Sequence, residues 1–430
     1  MTSHTTLIGT RGVYRADVEA RLPYKVFDAD NHFYPPADAE TRHLEPEFVP
    51  RAFPSGKTHL TQVDVVGDEH KAKTIGEHPV PVGGHGGVNP LELPEMEGDI
   101  PVPGAMLNKL NPMRDLDAEA RAKLVETYRH MEPAFQNRDR RLALMDEQGV
   151  AAAVLHGGTQ AFKHAFSRGD LEAGYAVARA HNRWIQDDWG FAYQDRIFTP
   201  AYIPLIELDH ALAELDRVMA EGVKLIGLQT GSQGGRSPAD PYFDPFWSRV
   251  NEARLPIVVH LGGHFAHRGA EWSEDPETPY KEFDAFQWVC YWSDFPIMET
   301  VTALIFHSFF ERFPNSKVLI AEHGTVWLPY LLRKLDHAHL LGRQPKWGGR
   351  LSTRPSEIFR ERFVVAPFPE ENVQRAIDIV GTECLVFGSD FPHSEGLPDP
   401  VQYTAQLKDL PESTVKAIMR DNLARFLGMA

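Results

Sequence analysis

Acids and imidazoles recur in this sequence where short apolar runs stop. "LVFGSDFPHSEG" (385–396) has five residues that read as a buried strand, followed closely by Asp390, His393 and Glu395. "DADNH" ends an earlier run on Asp28, Asp30 and His32. Other runs end at His156, at His260 with His264 after it ("VVHLGGH"), and at Glu322-His323 ("AEHG"). A single aspartate after a strand is ordinarily a cap or a turn residue. Several such ends meeting at one buried point would need a compensating charge, because unpaired buried carboxylates are costly. A divalent metal supplies that charge, and mixed nitrogen and oxygen donors suit Zn²⁺, Mn²⁺ or Fe²⁺.

The elements that must position these residues follow from the spacing of the apolar runs. Strands are expected at 25–30, 151–155, 197–203, 223–229, 256–261, 317–322, 363–367 and 384–389. Amphipathic segments such as "LEAGYAVARAHNRWIQDDW" and "WLPYLLRKLDHAHLL" lie between them. Eight strands alternating with helices give α/β architecture and the count of a (β/α)₈ TIM barrel, with an open doubly wound sheet as the rival. In a closed barrel all the strand ends open on one rim. Asp30 and His32, two apart on a strand, then point to one side. Closure sets Asp390 beside them, and His260 and His323 approach from across the axis.

The chain reads as one barrel domain over residues 1–430, interrupted by a Pro/Gly-rich insertion after the first strand. That insertion, 48–134, contains "VPVGGHGGVNPLELPEMEGDIPVPG" and is expected to fold over the rim as a lid. The formal charge of −16, without a basic cluster, excludes nucleic acid and anionic membrane as partners. Cys290 and Cys384 are too few for a disulfide framework. With no signal-like N-terminus and no apolar run of roughly 20 residues, a cytoplasmic location is expected. No nucleophile elbow, P-loop or dinucleotide fingerprint is present.

"FDADNH", "VVHLGG", "FFERFPNSKVLIAEHGTVWLPYLLRKLD" and "VFGSDFPH" occur in the order found in the amidohydrolase-2 group of the amidohydrolase superfamily, which this chain resembles over 25–37 and 138–430. The resemblance implies a metal-dependent barrel enzyme, with ligands at Asp30, His32, His260 and Asp390. It places at His323 the histidine that acts in catalysis or holds a second metal. Two positions depart from the family pattern. Asp30 stands where His is usual, and an oxygen donor there favours Mn²⁺ or Fe²⁺ over Zn²⁺. Pro35 replaces an acid often found after the first motif. Glu322, His264, His393 and Glu395 are read as ligands of a second metal or as supports for the first.

The expected activity is hydrolysis or decarboxylation of a small polar substrate. Asp390 and His323 would manage the proton at a centre of one or two Zn, Mn or Fe ions. Two alternatives stand beside it. One is an O₂-dependent hydroxylase with an Fe/Fe or Mn/Fe pair, as in the longer-chain branch that "GSDFPHSEG" resembles. The other is a structural subunit paired with an active homologue. Arg51, Arg114, Arg236 and Arg268 are candidates to grip a substrate carboxylate. The aromatic stretch "FDAFQWVCYWSDFP" is read as pocket wall or as the interface of an oligomer, formed with itself or with a homologous chain.

Overall fold

The computed structural model describes residues 22–36, 38–53, 74–75, 78–79, 131–157, 162, 165–166, 169–261, 290, 293–342, 347, 351–369, 371–393, 396–397 and 399–429. Eight extended segments run parallel and close on themselves. β1 (Val26–His32) pairs with β2 (Val150–His156), and β2 with the first half of β3. β3 comes in two halves, Ile197–Phe198 and Ala201–Tyr202; the second half pairs with β4 (Ile226–Gly227). The ladder continues through β5 (Ile257–His260), β6 (Val318–Ala321) and β7 (Phe363–Val365).

Residues 385–391 close the ring. The Val386 N–H donates to the Val365 carbonyl at 3.0 Å, and the Ala29 and His32 N–H groups donate to Phe387 and Phe391 at 2.8 and 2.7 Å. The bridges there are parallel but isolated. The eighth position expected at 384–389 is therefore filled by an extended segment rather than a regular strand. The fourth, expected at 223–229, is regular only at Ile226–Gly227.

The break in β3 has a local cause. Pro200 has no N–H to give a ladder. Past it, Asn182 acts in place of a strand: its side chain accepts from the Tyr202 N–H at 3.1 Å and donates to the Tyr202 carbonyl at 3.0 Å. Asn182 lies on α2 (Leu171–Asp188), where the sequence places a helix; α1 (Arg138–Glu147) is the helix before it.

Two apolar layers hold the barrel. Phe27, Ala29, Val154, Phe198, Val258, Leu319 and Val386 fill the interior, closed at one end by Leu423, Ala424 and Phe426. Val26, Leu155, Ile197, Ile257, Val259, Val318, Ile320 and Phe387 pack outward against helix residues such as Trp184, Trp247 and Leu332. Strict alternation along β1 would send Asp30 outward with Val26. A register irregularity between Asp28 and Asn31 resets the phase, so that Asp30 faces in and Asn31 faces out.

The expected lid, 48–134, lies mostly outside the described residues. Its described parts are 48–53, a two-stranded antiparallel ladder (Thr74–Ile75 with His78–Pro79) and 131–134. Among the described residues, no helix is long and apolar enough to cross a membrane.

Candidate metal centre

Each residue of the cluster is delivered by the end of a barrel strand. Asp30 and His32 come from β1, and His260 is the last residue of β5. Glu322 follows β6, and Asp390 sits in the closing segment. Glu322 and Asp390 both have left-handed backbones, φ 57° and 56°. That conformation is uncommon for non-glycine residues, and such strain is characteristically kept at functional sites. At Glu322 it interrupts strand alternation as β6 ends. The loop beyond is clamped: the Trp327 indole donates to the His323 carbonyl at 3.0 Å, and Glu371 accepts from the Thr325 N–H at 2.9 Å.

The side chains converge tightly. Asp30 Oδ1 lies 3.2 Å from His32 Nε2 and 3.3 Å from His260 Nε2. Glu322 Oε2 lies 3.0 Å from His260 Nε2, and Asp390 Oδ1 3.0 Å from His32 Nε2. Donor atoms of Asp30, His32, His260 and Glu322 all fall within 4.8 Å of one another; so do those of His32, Glu322, Asp390 and His393. Asp30, His32, Glu322, Asp390 and His393 are all buried, the most exposed of them by 8%. Yet Asp30 Oδ1 and His260 Nε2 make no hydrogen bond. Buried polar atoms that face one another without bonding fit a cation held between them.

The tautomers sort the histidines. His260 Nδ1 lies 2.7 Å from the Leu261 carbonyl, which can only accept, so Nδ1 carries the proton and Nε2 is left to face the two carboxylates. A backbone carbonyl fixing one imidazole nitrogen is the usual support of a metal-ligating histidine. His156 is turned the other way. Its Nε2 donates to the Ala29 carbonyl at 3.2 Å, so the nitrogen nearest Asp30 (4.0 Å) is already committed. His156 is a wall of the site, its ring centroid 4.3 Å from that of His260 and tilted 32° to it.

Charge follows this geometry. Burial alone would raise the Asp30 pKa, but the His260 and His32 imidazoles outweigh it and hold the carboxyl well below its usual range. Burial works against a charged His260, yet Glu322 and Asp30 push its pKa up to about 10. Burial and the nearby His260 charge hold His323 down to about 3, so it is neutral at physiological pH. Tyr202, a residue for which the sequence offers no motif, is held protonated by burial and by the Asp30 and Glu322 charges.

The residues singled out in the sequence divide as follows. Asp30, His32, His260 and Asp390 come together. Glu322 and His393, read as spare ligands, stand inside the donor groups, whereas His323 is in neither. His264 and Glu395 lie outside the described residues. His393 Nδ1 is 2.8 Å from Asp390 Oδ1 and orients that carboxylate. Arg51 is engaged by Asp170 and Glu172, and Arg236 by Asp240. Arg114 and Arg268 fall outside the described residues.

A profile of the amidohydrolase family matches residues 28–429, nearly the whole barrel. The chain belongs to the amidohydrolase family. With its donor cluster, that membership makes it a metal-dependent enzyme. An amidohydrolase from Mycobacterium avium subsp. paratuberculosis is 31% identical, covers 95% of this chain and 100% of its own, and superposes with a TM-score of 0.69. A gamma-resorcylate decarboxylase of Polaromonas is 24% identical over 276 residues, 59% of this chain and 76% of its own length. The manganese-bound 5-carboxyvanillate decarboxylase of Novosphingobium aromaticivorans shares the fold. It is 16% identical over 99% of this chain and 100% of its own, with a TM-score of 0.57. The barrel expected from strand spacing is thus the barrel of this amidohydrolase.

Proposed function

We propose that this chain is a metal-dependent decarboxylase of a small aromatic carboxylic acid. In this reading Asp30, His32, His260, Glu322 and Asp390 hold a divalent cation. The observation that carries it is the buried meeting of Asp30 Oδ1, His32 Nε2, His260 Nε2 and Glu322 Oε2, in which Asp30 Oδ1 and His260 Nε2 make no hydrogen bond to the protein. Decarboxylation is favoured over hydrolysis by the curated relatives, which include the Polaromonas enzyme and a 2-amino-3-carboxymuconate-6-semialdehyde decarboxylase of Dictyostelium, 23% identical over 53% of this chain and 60% of its own length. Three carboxylates among the donors favour manganese over zinc, in keeping with the manganese of the Novosphingobium enzyme.

The bound cation would supply positive charge that fixes the substrate carboxylate. The chain's own groups handle the proton. Asp390, oriented by His393, delivers it to the ring carbon bearing the carboxylate; the carbon–carbon bond then breaks, its electrons return to the ring, and CO₂ leaves. His323 and Tyr202, both neutral, serve as hydrogen-bond donors that do not add charge to the site. Burial of the cluster excludes water that would otherwise compete for the proton.

Mn²⁺-loaded protein incubated without O₂ with hydroxybenzoates should release CO₂. In D₂O the product should carry deuterium at the carbon that lost the carboxylate. No CO₂ from any hydroxybenzoate, with an amine or alcohol released instead from amides or esters of the same acids, would overturn the reading in favour of hydrolysis. A second reading rests on the overlap of the two donor groups, which share His32 and Glu322 and so offer places for two cations. It is the O₂-dependent hydroxylase, and it requires iron, two metals per chain and O₂ consumption.

A further inference from the structure

Behind β1, on the side away from the candidate centre, an arginine is buried completely. Arg141 lies on α1 and is 0% exposed. Its Nε donates to the Ala134 carbonyl at 2.9 Å and its Nη1 to Asn31 Oδ1, while Nη2 has no hydrogen-bond partner. The guanidinium sits over the rings of Trp189 and Phe391, 5.7 and 5.3 Å from their centroids. A buried cation of this kind is expensive, and burial lowers even its pKa, to about 9.

What Arg141 touches gives it a place in the site. Asn31 stands between Asp30 and His32, and Phe391 follows Asp390. From Asn31 the connection continues: its Nδ2 donates to Asp28 Oδ2 at 2.9 Å. Asp28 in turn accepts the Ser389 hydroxyl at 2.5 Å, and its Oδ1 accepts the Ser389 and Asp30 N–H groups at 2.9 and 3.2 Å. The Ser389 oxygen accepts from the Phe391 N–H at 3.1 Å. Every member is buried. The chain of bonds thus runs from the helix layer, through the outward face that the β1 irregularity creates, to the backbone on both sides of Asp390.

The geometry points to Arg141 as a positioning residue. Through Asn31, Asp28 and Ser389 it holds Asp30, His32 and Asp390 at the separations a cation needs. A planar guanidinium suits the task, since it can bond Ala134 and Asn31 at once while its face covers Phe391; a lysine ammonium offers no such fork. This inference rests on the metal-centre reading given above, but not on the reaction assigned to it.

The test is a Mn²⁺ titration of metal-free full-length protein, following free Mn²⁺ by electron paramagnetic resonance, for wild type, Arg141→Met, Arg141→Lys, Asn31→Leu and Ser389→Ala. Melting of each metal-free protein is recorded in parallel. Supports behind ligands usually matter about 10–100-fold. Arg141→Met and Asn31→Leu are expected to bind Mn²⁺ within that range more weakly, Arg141→Lys less weakly than Arg141→Met, and Ser389→Ala about 10-fold more weakly while folding normally. Folded variants binding within about twofold of wild type would overturn the inference. If Arg141→Met does not fold, Ser389→Ala decides. A wild type that binds no divalent metal would instead overturn the metal-centre reading itself.

Discussion

Asp390 is asked to do two things at once, to face the cation and to move a proton, and its surroundings suit both. His393 Nδ1 and His32 Nε2 both approach the Oδ1 oxygen of the carboxylate, at 2.8 and 3.0 Å. Asp390→Asn keeps the shape and removes the titrating oxygen. The expected result is an unchanged circular dichroism spectrum and a fall in kcat of about 10²-fold or more, the scale of acid–base assistance. Near-normal turnover in a folded variant would contradict the role. His260 gives the pH dependence. Metal-free, its pKa is pushed up to about 10 by Glu322 and Asp30, so metal binding at neutral pH must displace a proton from Nε2. Mn²⁺ affinity should therefore fall as pH is lowered from 8 to 6, with proton release measurable by titration calorimetry in two buffers. Affinity independent of pH would contradict it. Asp30, His32, His260 and Asp390 were legible in the sequence because each follows an apolar run. Their supports were not: Arg141 reads as one basic residue in "RDRRLALMDE", and only its burial between Trp189 and Phe391 distinguishes it.

Strands show how spacing and packing divide the work. The positions of all eight barrel segments were readable from apolar runs, but their regularity was not. Pro200 splits β3, and the remedy, an amide on α2, is a long-range contact that no local pattern encodes. Asn182 also donates to Glu214 at 2.8 Å, a carboxylate that keeps Arg217, so its removal orphans the two buried Tyr202 backbone groups. Asn182→Leu should lower stability by about 1–3 kcal/mol, seen as a lower Tm at unchanged metal stoichiometry. The closing segment gives a second test. A methyl at Gly388 would meet Asp30 Cβ at 2.7 Å and Ala366 Cβ at 3.1 Å. Gly388→Ala should cost about 1–3 kcal/mol and, unlike Asn182→Leu, should also weaken Mn²⁺ binding, because the strain falls on Asp30. Equal effects of the two on metal affinity would contradict this division. Phase along β1 belongs here too. Only the irregularity between Asp28 and Asn31 turns Asp30 inward, and a period-two reading of "VFDADNH" cannot contain it.

At the scale of the whole molecule, one ion would tie distant parts of the chain together. Asp30 and Asp390 are 360 residues apart in sequence, yet the Asp390 N–H donates to the Asp30 carbonyl at 2.7 Å. A cation shared by β1, β5, β6 and the closing segment would close the barrel a second time. Because it binds only the folded state, stability should rise with metal concentration, by about 2.7 kcal/mol at a hundredfold excess over Kd. Chelation should accordingly lower Tm, and Mn²⁺ should restore it. The most direct measurement is elemental analysis of protein purified without added metal, comparing wild type with Asp30→Asn and His260→Ala. A divalent transition metal, manganese foremost, is expected at one equivalent per chain in wild type and largely lost from both variants. Wild type without metal, or variants that retain it undiminished, would contradict the assignment of Asp30 and His260.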